Sequence, residues 1–252
     1  EVWVTNKSGQ TQNTRNIVAF TDLGENAKVS RPELWDLNLS PVPSNNANTE
    51  YSIIVRDYEK ARSIDQVSQA FGEGVEHLKG VTDYEKLENA RLLTSSEYTV
   101  NKALGYISLK TALQTYQVLA VAYEYTYAGQ TFQVGEFSTD NKDNAKQTLF
   151  VKSLKNTSNN PRQGNWQLMM KNVYYLASSV QKDKFRLDVK FQSDTAGVYI
   201  SYIPEQTVKE TPIIRLLGAD RLDNNNRPNP NGYFDFIQGY TLTNGRVFFP
   251  VA

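Results

Sequence analysis

The sequence predicts an α+β fold, an antiparallel-rich sheet with a few helices, in a soluble domain that is not itself a barrel. Three observations carry this expectation. Tyr116–Tyr127 and Thr131–Phe137 alternate in polarity and flank Ala128-Gly129-Gln130, which reads as a β-hairpin. Ile64, Val67, Phe71, Val75 and Leu78 recur at helical spacing. No apolar run reaches the ~18 residues of a membrane-spanning helix, and one long hairpin falls far short of the ~8 strands of the smallest membrane barrels.

Taken in order, Val2-Trp3-Val4 and Arg15–Leu23 read as the two arms of a first hairpin around Asn6-Lys7-Ser8-Gly9. Residues 24–50, rich in Asn, Pro and Ser, read as a long loop, and Tyr51–Val55 as a short strand. The helix from Ile64 is weakened by Gly72 and Gly74, each worth roughly 1 kcal/mol relative to Ala. Thr82-x-x-Glu85 has the form of a capping box, which predicts a second helix through Leu87 to Leu92. Glu97–Val100 and Tyr106–Leu109 flank a turn at Asn101–Gly105. On the long hairpin arm, Leu119, Val121, Tyr123, Tyr125 and Tyr127 share one face.

Ser138–Asn144 reads as a loop, Ala145–Leu154 as a weakly amphipathic run, and Lys155–Gly164 as a second loop. Asn165 is placed to cap a helix containing Trp166, Met169, Met170, Val173 and Leu176. Lys184–Phe191 and Gly197–Ile203 alternate as strands, Pro212–Leu217 is a short helix, and a loop and strand close the chain. Residues 1–252 are expected to form one domain, with any subdivision near 140–165. Both ends fall in strand-like runs, so the chain reads as part of a longer protein.

Composition narrows the function classes. Lys+Arg 27 balances Asp+Glu 27, so no basic surplus is present to neutralise nucleic-acid phosphates. The 15 Tyr, 11 Phe and 3 Trp can supply a core, which argues against disorder. The absence of Cys removes disulfides, thiol catalysis and Cys-ligated metals.

No catalytic or cofactor-binding set stands out. His77 is the sole histidine, at the end of a glycine-weakened helix without a second His or Cys nearby, and reads as a solvated helix-end residue. No nucleophile elbow, phosphate-binding glycine loop or paired-carboxylate context accompanies it. The run Asp220–Asp235 places oxygen side chains at Asp223, Asn225, Asn229, Asn231 and Asp235 with the rhythm of a calcium loop. Pro228, Pro230 and the missing closing Glu depart from that pattern, so an Asx-pinned turn is the preferred reading.

The same run, from Pro212-Ile-Ile-Arg-Leu-Leu-Gly through Asp220-Arg-Leu-Asp-Asn-Asn-Asn-Arg-Pro-Asn-Pro-Asn-Gly-Tyr-Phe-Asp235 to Asn244-Gly-Arg-Val-Phe-Phe-Pro-Val251, resembles the SprA/Sov family. These are giant outer-membrane translocons of type IX secretion and gliding motility in Bacteroidota. Glu1-Val-Trp-Val-Thr-Asn-Lys7 with Thr14–Gly24, and Met169–Leu176 with Phe185–Val189, agree with it; residues 25–165 are covered only by position between them. The resemblance implies a soluble insertion in a very large channel that exports folded cargo, with no enzymatic activity and no cofactor. It implies contacts with the rest of the barrel protein, secretion-system subunits and exported proteins. Long insertions in outer-membrane barrels favour the extracellular side, with the periplasmic side as the alternative. A cell-surface module binding protein or polysaccharide through aromatic platforms such as Trp166 or Tyr125 is the second reading, and a carboxylate-using hydrolase the third.

Overall fold

Runs of consecutive buried residues at Val2–Val4, Ile17–Leu23, Val118–Ala122 and Thr148–Ser153 set the architecture, because a strand buried at every position must be covered on both faces. The computed structural model describes all residues except 8, 25–47, 75–77, 103, 141–145, 178, 194–196, 244 and 251–252. The chain divides into two compact units, Glu1–Met169 and Met170–Ala252.

In the first unit the elements are β1 (Val2–Val4), β2 (Thr14–Phe20), α1 (Glu50–Asp57), two 3₁₀ turns (Glu59–Arg62 and Ile64–Gln66), α2 (Val67–Glu73) and β3 (Tyr84–Leu92). There follow β4 (Tyr98–Asn101), β5 (Tyr106–Leu109), β6 (Leu119–Val121), β7 (Tyr123–Tyr127), β8 (Gln130–Val134), β9 (Leu149–Lys155) and α3 (Asn165–Leu168). Strands β1, β3, β2, β9 and β6 close into a barrel in that order. The fold class is α+β as expected, but the non-barrel expectation is corrected. It weighed only a membrane barrel of about eight long strands, whereas these five strands, three to nine residues long, close around an apolar interior.

That interior holds Trp3, Ile17, Leu87, Leu149 and Val151 with Ala19, Ala90, Ala120 and Ala122. The alanines let the walls of so narrow a barrel approach each other around the single indole. The alternate residues of the same strands face outward. Val18, Phe20, Tyr84 and Phe150 meet Ile54, Tyr58, Val67 and Phe71 of the helical layer. Phe71 sits at the middle of an edge-to-face aromatic cluster, 4.8 Å from Tyr84, 5.2 Å from Tyr58 and 5.7 Å from Phe20. Val2, Val4, Leu119 and Val121 are covered by Tyr98, Ile107 and Leu109 of the β4–β5 hairpin.

Several local expectations change. The first hairpin does not form: β1 pairs with β3 and β6, and β3 lies between β1 and β2. The expected helix at Thr82–Leu92 is strand β3. Tyr84 serves the outer face and Leu87 the inner, and a bulge opposite Asn16, with Asn89 at φ 50°, then returns Ala90 to the inner face. Two buried faces plus one inserted residue reproduce the three-residue spacing of a helix. Conversely, the strand expected at Tyr51–Val55 is α1, which buries Glu50 and Ile54 four residues apart, and Tyr58, Ala61 and Ile64 carry the buried face on through the two 3₁₀ turns. The Ile64 helix starts as a 3₁₀ turn and runs only to Glu73; Val75 and His77 lie outside the described residues.

The two central hairpins form as expected. In β7–β8, Tyr127 pairs with Gln130, and Ala128 and Gly129 take φ of 49° and 79°, the mirror-image turn that matches strand twist. The long arm is broken at Ala122, however, so that β6 joins the barrel and β7 the hairpin. Gly135 then passes the barrel wall at φ 74°, where a Cβ would stand 3.1 Å from the Val121 carbonyl oxygen and 3.2 Å from Val151 Cα. Most of the expected loop at 24–50 and residues 141–144 of the next lie outside the described residues.

The second unit contains β10 (Val173–Tyr175), β11 (Phe191–Gln192), β12 (Tyr199–Ile200), α4 (Ile213–Leu216), β13 (Leu242–Thr243) and β14 (Arg246–Phe248). The helix expected from Asn165 to Leu176 is corrected to the single turn α3 followed by β10, since the apolar spacing there runs across the boundary between the units. Of the strands expected at Lys184–Phe191 and Gly197–Ile203, only the two-residue pair β11–β12 forms. The short helix at Pro212–Leu217 and the closing strand are present as α4 and β14. Strands β10, β14 and β13 make a three-stranded sheet. Ile214, Ala219, Val247 and Phe249 form this unit's core, with Leu187, Val189, Leu217 and Phe234 packed against it.

Candidate functional site

The Asn-rich run of the second unit is a loop fastened by carboxylates. Helix α4 ends at Leu216, and Asp220 follows on a chain reversal at Gly218, which takes a positive φ of 70°. Asp220 is 1% exposed. Its Oδ1 accepts from the backbone N–H of Asn231 at 2.9 Å and of Gly232 at 3.1 Å, and its Oδ2 from the Arg215 guanidinium at 3.0 Å. Asp235 closes the other end, accepting the N–H of Arg221 at 2.6 Å and of Leu222 at 3.2 Å. The two carboxylates hold the entry and exit of the loop together.

Between them the expected calcium ligands act on the loop itself. Asp223 Oδ1 accepts the N–H groups of Asn225 and Arg227 at 2.8 and 3.0 Å. Asn231 Oδ1 accepts the Tyr233 N–H at 3.0 Å, and its Nδ2 donates to Asn224 Oδ1 at 3.1 Å. Asn225 and Asn229 are exposed. Asp223 and Asn231 thus form Asx-type turns over separate stretches of backbone, while Asp235 reaches back across the loop to Arg221 and Leu222. Among the described residues there is no group of three or more His, Cys, Asp or Glu placed to hold a metal ion. The residue that sequence reasoning missed is Asp220: it lies inside the quoted run, but only its burial marks it as the fastener.

Leu222 and Asn226 of this loop also line an open depression of about 640 Å³, whose other walls include Val180, Lys182, Phe236 and Ile237. Val180, Leu222, Phe236 and Ile237 give it apolar walls, and Lys182 with Asn226 and two glutamines gives it polar ones.

In the first unit the concentrated electrostatics lie where the helical layer meets the barrel. Arg62 makes a bidentate pair with Glu136 at 2.6 and 2.7 Å, donates to the Thr148 carbonyl at 3.1 Å, and lies 3.9 Å from the Phe150 ring centroid. Glu136 also accepts the Tyr51 hydroxyl at 2.8 Å and the Phe150 N–H at 2.9 Å. One carboxylate therefore ties α1, the first 3₁₀ turn and β9 together.

Burial first, and then the Glu136 carboxylate beside it, push the Tyr51 phenol above its usual value of 10.0. A folded-state value above the unfolded one gives a contribution that is complete below the unfolded value and is lost as pH rises toward the folded one. Tyr51→Phe is therefore expected to lessen the fall in stability above about pH 10. Urea unfolding of both proteins across that range checks this, and parallel alkaline slopes would rule it out.

The two aromatic residues considered as binding platforms lie apart in their roles. Tyr125 stacks on Phe132 at 5.6 Å and packs against the outer core. Trp166 is half-buried in α3, beside Asn165, whose side chain donates to Ser153 at 2.8 Å. His77 lies outside the described residues. Among the described residues no helix is long and apolar enough to cross a membrane. No family model matches the chain, and no curated protein matches it.

Proposed function

We propose that this chain is a structural and gating domain of an outer-membrane protein-conducting channel of the SprA/Sov type, acting in type IX export of folded cargo. It acts through shape rather than as an enzyme, on the extracellular side of the membrane, against the remainder of the barrel protein, secretion-system subunits and passing cargo. The observation that carries this reading is the ordered resemblance at both ends and at residues 169–189. It gains support from where those stretches fall. Glu1–Lys7 and Thr14–Gly24 contain barrel strands β1 and β2, and Pro212–Asp235 contains the loop fastened by Asp220 and Asp235. Carboxylates committed to backbone amides hold a surface in one shape, which a wall or gate against a moving chain requires.

Deleting residues 1–252 from the full-length protein is expected to abolish appearance of cargo outside the cell, with the barrel still inserted. Normal export without the segment would overturn the reading. A cell-surface binding module is the second reading, favoured by the exposed rings of Tyr199, Tyr202, Tyr233 and Tyr240. Intact export combined with loss of polysaccharide or protein capture at the surface would select it.

A further inference from the structure

The sheet of the second unit ends in β10, whose outer edge no strand among the described residues pairs. Phe249 N–H donates to the Asn172 carbonyl at 2.9 Å, and Leu176 N–H to the Gly245 carbonyl at 2.8 Å. With Tyr174 opposite Val247, this parity directs the hydrogen-bonding groups of residues 172, 174 and 176 toward β14. The N–H and C=O groups of Val173 and Tyr175 consequently point away from the sheet, and among the described residues no backbone bond takes them up.

Side chains along this edge lack the devices that ordinarily block pairing. Asn172-Val-Tyr-Tyr-Leu-Ala177 carries no charge, no proline and no glycine. Tyr174 shares the face of Val247, which is 1% exposed, and its ring meets Phe249 edge-on at 5.8 Å, yet Tyr174 remains 54% exposed. The core of this unit thus continues to the edge of the sheet and stops uncovered there. On the opposite face Tyr175 is 59% exposed beneath Arg246, 5.7 Å from its ring centroid.

We propose that β10 is a strand-addition site, and that its occupant is an extended, uncharged peptide segment with an apolar residue set over Tyr174. Two residues supplying paired N–H and C=O groups at the spacing of a strand recognise another strand and nothing else of comparable size. The neutral edge favours a neutral partner, and the uncovered Tyr174–Phe249 surface selects an apolar side chain at the central position. A second copy of the chain fits less well. Symmetric pairing of so short an edge would bury far less than the roughly 800 Å² per partner of a stable interface. The inference is independent of the channel reading, since it rests on this unit's own register.

The test uses the full 252-residue chain and an acetylated, amidated peptide of about seven residues alternating threonine and valine. Saturating peptide is expected to slow hydrogen exchange at the Val173 and Tyr175 amides at least ~10-fold, with the Tyr174 amide, already bonded to β14, unchanged. Val173→Pro removes an outward N–H without touching the ladder to β14, so it should abolish this protection while Tyr174 stays protected. No slowing, or slowing that persists in Val173→Pro, would overturn the proposal. Protection of the same amides with rising protein concentration and no peptide would also overturn it, by making a second copy the occupant.

Discussion

Glu136→Ala is expected to destabilise the first unit by about 3–4 kcal/mol, in the range for breaking a buried ion pair. The loss has three parts. Arg62, with a side chain 20% exposed, keeps a charge whose partner is gone. The Phe150 N–H on β9 loses its side-chain acceptor, and the Tyr51 hydroxyl loses its own. Unsatisfied groups of this kind cost about 1–3 kcal/mol each when buried, less here because Tyr51 reaches solvent. For a unit of this size the expected fall in melting temperature is about 10 °C.

Replacing both partners, as Glu136→Leu with Arg62→Met, removes the charges together and is expected to be less damaging than Glu136→Ala alone. Urea unfolding of the two singles and the double gives the coupling. A Glu136→Ala protein within 1 kcal/mol of the parent, in the sense of ordinary surface changes, would show that apolar packing alone seats the helical layer.

This clamp also marks what could and could not be read from the sequence. The β4–β5 and β7–β8 hairpins were legible because turn chemistry at Asn101–Gly105 and Ala128-Gly129 acts between neighbours in the chain. The barrel was not. Its closure depends on β1 meeting β6 and on β2 running parallel to β9, pairings separated by more than a hundred residues. Strand β3 hid for a second reason: burial on both faces and the bulge at Asn89 removed the two-residue alternation by which strands are recognised. Glu136 gave no local sign either, since its partners Tyr51, Arg62 and Phe150 come from three other parts of the chain. In the candidate loop the reverse held in part. Turn chemistry in Asp223 and Asn231 was legible from Asn, Pro and Gly alone, and the calcium rhythm was the same spacing of oxygens, here set to backbone amides. Asp220 was indistinguishable from its neighbours until burial separated it from them.

Asp220→Ala should therefore affect the second unit most. Hydrogen bonds to a charged acceptor contribute about 1.5–3 kcal/mol, and Asp220 supplies one set to the loop amides and another to Arg215. Part of that is recovered when water reaches the exposed Gly232 and the half-exposed Arg215 side chain. The expected loss is about 2–3 kcal/mol, large for a unit whose core rests on Ile214, Ala219, Val247 and Phe249. Asp220→Asn keeps one oxygen acceptor but loses the charge, so it should fall between the two proteins. Hydrogen exchange at Asn231 and Gly232 is the direct reading: both amides should exchange at least ~10-fold faster in Asp220→Ala, while those of Asn225 and Arg227, held by Asp223, change less. Equal acceleration at all four amides would mean that the loop opens as one piece and that Asp223 adds no independent hold. Unchanged exchange at Asn231 and Gly232 would remove Asp220 from its role altogether, leaving Asp235 to fix the loop alone.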